Sequence, residues 1–111
     1  MDSLRIDSKE DGLFLVFNGE ITLEITTDLK NDIDAALQES DYDTLVADLA
    51  AVSFMDSSGI GFLVALNTKI MGLGKKMFLL KPSPQVRKTF ELVQLSNFFN
   101  IVDSEDELLG A

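Results

Sequence analysis

The apolar residues of this chain fall into two kinds of run. Leu13-Phe14-Leu15-Val16-Phe17 and Thr44-Leu45-Val46-Ala47-Asp48-Leu49 are short, nearly continuous and rich in strand formers. Runs of that kind predict strands covered on both faces. Met77 to Leu80 is a third, while Ser3 to Ile6 and Phe98 to Val102 predict a weak first strand and a short last one. The intervening segments have helical spacing instead. Leu29, Ile33, Ala36 and Leu37 share one face of a helix predicted over 23–40, and its opposite face is acidic. Ile60, Leu63, Val64, Asn67, Ile70 and Met71 form one stripe of a helix predicted over 58–71. Val86, Phe90 and Val93 recur at i, i+4 and i+7 in a third.

Punctuation between the runs supports these elements. Asn18-Gly19 is a turn signal, and Gly72-Leu73-Gly74 ends the second helix. Ser83-Pro84 is a cap followed by proline at the first helical position. Ser104 with Glu107 three residues later is a capping box for a short terminal helix. Two strands followed by alternating helix and strand predict a mixed sheet whose first pair is a hairpin or edge pair, the remainder being joined by helical crossovers. No linker, repeat or low-complexity stretch divides residues 1–111, so a single domain is expected.

The most informative stretch is VSFMDSSGIGFLVAL, residues 52–66. Asp56-Ser57-Ser58-Gly59 separates an extended run from a helical one, so it lies where the first amides of a helix lack partners. Negative charge is favoured at such a place. Two readings of it stand side by side. In the first, Asp56, Ser57 and Ser58 cap the helix and Gly59 and Gly61 let it pack tightly on the sheet. In the second, a serine here accepts a phosphate. The fold tolerates the added charge at the helix start, and a partner's surface does not.

Composition removes most other chemistry. The chain has no histidine and no cysteine, which excludes a Ser-His-Asp hydrolase, thiol catalysis and Cys-type zinc sites. Gly59-Ile60-Gly61 lacks the Gly-Lys of a phosphate loop and the third glycine of a dinucleotide fingerprint. Asp56 alone is not a metal site; capping the helix or orienting Ser58 suits it better. No enzyme activity and no cofactor are expected.

A net charge of −10 argues against nucleic acid as a partner. There is no apolar run long enough to span a membrane, and the first residues lack an apolar signal core, so a cytoplasmic location is expected. Residues 57–90 hold six of the nine basic side chains and no acid, so they form either a solvated surface or a partner-selecting face. On the second helix, Phe62, Ala65 and Leu66 lie beside the core stripe. Phe62 and Leu66, with Lys69, are candidate partner contacts if that strip is exposed.

The chain resembles the STAS domain of bacterial anti-sigma factor antagonists. The likeness rests on VSFMDSSGIG with LVADL before it and a helix after it. It extends to Phe17-Asn18-Gly19-Glu20-Ile21, to Pro82-Ser83-Pro84-Gln85-Val86 with Phe90, and to Leu95-Ser96-Asn97-Phe98-Phe99. The resemblance implies an α/β domain with a mixed sheet of four to five strands and about four helices mainly on one side. It implies that Ser58 is the residue phosphorylated by a serine kinase that is also the anti-sigma factor. The unphosphorylated form then binds that partner, phosphate abolishes binding, and a phosphatase restores it. Asp56, Ser57 and Gly59 flank the site. The chain departs from the pattern at Thr22, where the family usually carries an aspartate. A second function, as a STAS subunit of a transporter assembly with the serine pair as a structural cap, belongs to a different class.

Overall fold

The computed structural model describes residues 3–10 and 12–109. The chain order is β1 (Leu4–Lys9), β2 (Gly12–Ile21), α1 (Leu23–Glu39), β3 (Thr44–Met55), α2 (Ser57–Gly72), β4 (Lys76–Leu80), α3 (Pro84–Leu92), β5 (Asn100–Val102) and α4 (Asp106–Leu109). The five strands lie in the sheet in that same order. β1 and β2 are antiparallel and every other pair is parallel. The architecture is the mixed sheet with helical crossovers that the patterning predicts.

Alternation across the strands decides which face is covered by what. Leu13, Leu15 and Phe17 of β2, Leu45, Ala47 and Leu49 of β3, and Met77 and Leu79 of β4 point to one face. There they meet Leu29 and Ile33 of α1, Leu63, Leu66 and Ile70 of α2, and Val86 and Phe90 of α3. Phe14, Val46 and Leu80 point to the other face, where Val102 of β5 packs beside them and Leu108 of α4 covers them. Three helices thus build the main core and the short α4 covers the reverse side.

β3 is twice as long as the run that announces it. Its partner register with β2 slips between Val16 and Asn18 and again between Gly19 and Glu20, and each slip leaves an extra residue in β3. The buried positions after Leu49 are therefore Val52 and Met55, three apart instead of two. The bulges conceal the strand from a period-two reading, and they carry it forward to the serine pair. β1 likewise runs on to Lys9 instead of ending at Ile6.

Two expected core positions and one expected strand residue are exposed. Met71 is 62% exposed, because the α2 stripe that meets the sheet and α1 runs through Gly59, Leu63, Leu66, Asn67 and Ile70. Val93 lies beyond the end of α3 as its C-cap and is exposed. Phe98 precedes the strand, which starts at Asn100, and is exposed; Phe99 instead is buried, its ring 5.2 Å from that of Phe90.

The helix ends follow standard capping geometry. α2 closes with Gly74 at φ +75°, Gly74 N donating to Met71 O and Lys75 N to Ile70 O at 3.1 Å. α3 closes in the same way, but with Gln94 at φ +60° in the glycine position. A side chain in left-handed backbone costs about 1–2 kcal/mol. Gln94→Gly is therefore expected to stabilise the domain by about 1 kcal/mol, read as a higher urea midpoint at unchanged slope.

Candidate functional site

The site begins with the strand that delivers it. β3 ends at Met55, and Asp56 in extended backbone is the N-cap of α2. Ser57 and Ser58 are therefore the first two residues of the helix, one position earlier than the predicted start. Asp56 makes two hydrogen bonds with different oxygens. Oδ1 accepts from Gly59 N at 2.9 Å and caps α2. Oδ2 accepts from Leu23 N at 3.1 Å, the first residue of α1. One carboxylate thus holds the starts of two helices.

That second bond bears on residue 22. Thr22 is the N-cap of α1, but its side chain makes no capping bond. Asp56 supplies from across the fold what the local residue does not. Asp56→Ala removes both acceptors and is expected to cost about 1–3 kcal/mol of stability. Asp56→Asn keeps one acceptor oxygen and should recover part of the loss in the same urea titration.

Gly59 is required by close approach. A Cβ there would lie 2.4 Å from Ile21 O and 2.6 Å from Met55 Cγ. Gly61, expected to aid tight packing as well, is exposed with nothing within 4 Å of an added Cβ, so packing places no demand on it.

With the helix pinned by Asp56 and Gly59, the two serines face outward. Ser57 is exposed and Ser58 half-buried. Among the described residues neither hydroxyl has a hydrogen-bond partner, and the amides of Ser57 and Ser58 are also free. The first intrahelical bond is Ile60 N to Asp56 O at 3.0 Å. The arrangement presents unpaired N–H groups and the positive end of a helix beside a hydroxyl. Those are the conditions under which a bound or attached anion is stabilised.

Two exposed apolar side chains border this end, and the sequence patterning does not single them out. Leu23, whose amide meets Asp56, is 69% exposed, and Phe54, two residues before Asp56, is 51% exposed. Phe54 alternates with the buried Met55 and so projects from the opposite sheet face. The bulges before it break the two-residue repeat, so patterning does not reveal its exposure.

The expected contact residues of α2 divide. Leu66 is only 6% exposed and belongs to the core, because this part of α2 turns toward α1. Phe62 is half-buried, edge-on to Phe17 with ring centroids 6.3 Å apart. Together with Ala65 and Ile33 these side chains line a groove of about 170 Å³ between α1 and α2. Lys69 closes it with an ion pair, Nζ to Asp34 Oδ1 at 2.9 Å, and Lys30 meets the other oxygen of Asp34 at 3.1 Å. Hydrogen bonds from Lys69 and then Lys30 hold the Asp34 carboxyl below its usual range. The basic face expected over 57–90 is also partly consumed: Arg87 pairs with Asp103 at 2.6 Å, and Lys75 lies 3.7 Å from the centre of the Tyr42 ring.

The STAS domain model matches residues 3–108. The chain belongs to the STAS domain family. The anti-sigma F factor antagonist of Lysinibacillus sphaericus is 29% identical to it over 104 residues, covering 94% of this chain and 86% of that protein. An anti-sigma factor antagonist from Mycobacterium paratuberculosis is similar in structure, with a TM-score of 0.83 at 25% identity over 96% of this chain and 90% of that one. The Bacillus cell fate determinant SpoIIAA in its phosphorylated form has the same fold, with a TM-score of 0.71 at 22% identity over 96% of each chain. In this STAS domain, Asp56, Ser57, Ser58 and Gly59 come together at one helix start. Phe62, Leu66 and Lys69 lie further along the same helix, on the side of α1. Among the described residues no helix is long and apolar enough to cross a membrane.

Proposed function

We propose that this STAS domain is an anti-sigma factor antagonist, a regulatory binding protein whose attachment to a protein partner is switched off by phosphate on Ser58. The observation that carries this reading is the free Ser58 hydroxyl at the second position of α2, beside unpaired amides of the helix start. An anti-sigma factor antagonist is a relative over nearly the whole chain, and a protein of this fold is known in a phosphorylated form. In this reading Ser58 is the acceptor and Asp56 fixes its helix. Gly59 lets that helix sit down on β2. Leu23, exposed and tied to Asp56 through its amide, is an apolar contact beside it. The partner is a serine kinase that is also the anti-sigma factor, and a phosphatase resets the switch.

Ser58 is preferred to Ser57 because it is the second serine of Asp-Ser-Ser-Gly, the position that the family resemblance marks as the acceptor; it is also the less exposed of the two. The test is binding to a candidate serine kinase of the same genome. The complex is expected to form with ADP and to dissociate in step with phosphate incorporation when ATP is supplied. A complex that persists at full phosphorylation overturns the proposal, and binding that ignores Ser58 substitution while transport proteins co-purify supports the transporter-subunit alternative instead.

A further inference from the structure

β1 is an edge of the sheet and the longer of its two edge strands, with 6 residues against 3 in β5. Its open side can be assigned atom by atom. Asn18 N donates to Ser3 O at 2.9 Å, so the main-chain groups of Ser3 point toward β2. Alternation then turns Arg5, Asp7 and Lys9 toward β2 as well, and leaves the N–H and C=O of Leu4, Ile6 and Ser8 facing outward. An unpaired row of this kind is a template for another strand.

A second copy of β1 can pair with it antiparallel only in registers that match outward groups to outward groups. Of those near the centre of the strand, the one about Arg5 sets Arg5 opposite its own copy. The one about Asp7 sets Asp7 opposite its copy and Arg5 opposite Lys9. Both juxtapose like charges, which is destabilising. The register about Ile6 sets Arg5 opposite Asp7 of the second copy, Asp7 opposite Arg5, Leu4 opposite Ser8, and Ile6 opposite Ile6. Arg5 and Asp7 already meet within one chain at 3.0 Å, on the sheet face opposite to Ile6. We propose that two copies of this chain join β1 to β1 about a twofold axis at Ile6, merging their sheets into one.

Leu4 and Ile6 bear out the apolar side of this contact. Both are half-buried, and with Ala35 and Ala36 of α1 they line a shallow groove along the edge. Asp32 and Glu39 rim the same groove, and each chain carries a net charge of −10, so charge beyond the strand opposes association. The strip is also narrower than a standard interface, so a weak dimer is expected. The contact lies on β1, separated by β2 from β3, the strand that leads to the serines. It is independent of the proposed switch.

The test is sedimentation equilibrium of wild type, R5D, D7R and the R5D/D7R double variant, at about 0.15 M salt, where charges beyond about 8 Å are screened. Each single variant creates two like-charge pairs across the axis and is expected to weaken dimerisation at least tenfold. The double variant restores opposite charges and is expected to return within threefold of wild type. Arg5 and Asp7 both lie on an edge strand, so the fold survives and each variant is checked by its unchanged urea midpoint. The chain has no cysteine of its own, which allows a second readout. Ile6→Cys places its sulfurs across a pair whose Cα atoms are about 5.5 Å apart, within disulfide reach. Ser8→Cys leaves them about 13 Å apart by strand rise. Rapid oxidation of the first and not of the second is expected. A wild type that stays monomeric at about 1 mM, a double variant no better than the singles, or equal cross-linking at both positions overturns the proposal.

Discussion

Gly59→Ala is expected to destabilise the domain by about 3 kcal/mol, while Gly61→Ala, two residues on, stabilises it. The added methyl at residue 59 would sit 2.4 Å from Ile21 O and 2.6 Å from Met55 Cγ. The carbonyl cannot step aside freely, because it already accepts from Asp56 N at 3.3 Å. Relief requires lifting the first turn of α2, and that stretches the 2.9 Å cap from Gly59 N to Asp56 Oδ1. Overpacking costs about 1–3 kcal/mol and a lost cap about 1 kcal/mol more. At residue 61 the methyl meets open space, and replacing glycine inside a helix gains about 0.5–1 kcal/mol. Urea unfolding of the two variants reads the difference directly, and equal midpoints would contradict the packing described for α2. A loss of that size is a large part of the 5–15 kcal/mol typical of a small domain.

Ser58→Asp is expected to weaken partner binding at least 100-fold while leaving the domain folded. The two effects separate because they act on different surfaces. Within the domain, a carboxylate in the first turn of α2 meets the positive helix end and unpaired amides, a favourable arrangement worth about 0.3–1 kcal/mol. Toward the partner, the same charge stands two residues after Asp56, in the helix start whose cap also holds the amide of the exposed Leu23. Burying it there against a partner leaves it desolvated without a counter-ion. A penalty of about 2.7 kcal/mol is the stated 100-fold. Ser57→Asp, on the more exposed neighbour, is expected to do less. Calorimetric titration with the kinase partner measures both, and normal binding by Ser58→Asp would remove the switch from this account.

Much of the fold is legible in the residues because its strands are continuous apolar runs and its helices are punctuated by strong caps. Ser83 illustrates this. Its hydroxyl accepts from Val86 N as the cap signal predicts, and it also donates to Val52 O at 2.6 Å, which ties α3 to β3. Glu107 likewise accepts from Ser104 N at 3.0 Å as the box pattern requires. In β3 and α2 tertiary pairing overrides a local period. The second half of β3 is hidden because two bulges turn a two-residue repeat into a three-residue one. Leu66 and Met71 exchange roles because α1, remote in sequence, decides which side of α2 is covered.

The site is legible to a different depth. Its location follows from Asp56-Ser57-Ser58-Gly59 between two apolar runs, and the absence of histidine and cysteine narrows its chemistry. The reach of Asp56 to Leu23 N is not legible, since nothing local relates residues 33 positions apart. Nor is the exposure of Leu23 and Phe54, which depends on where β2 and β3 end together, at the pair Ile21 and Met55. The departure at Thr22 acquires a physical meaning only in three dimensions: the helix start it fails to cap is held by the residue that also holds the serines.

The most direct measurement of the central claim is intact mass after incubation with the cognate serine kinase and ATP, followed by fragmentation to locate the modification. The account predicts a single added phosphate on Ser58 in the wild type, none in Ser58→Ala, and loss of the kinase complex in proportion to the phosphate gained. Phosphate on another residue, or undiminished phosphorylation of Ser58→Ala, would contradict it.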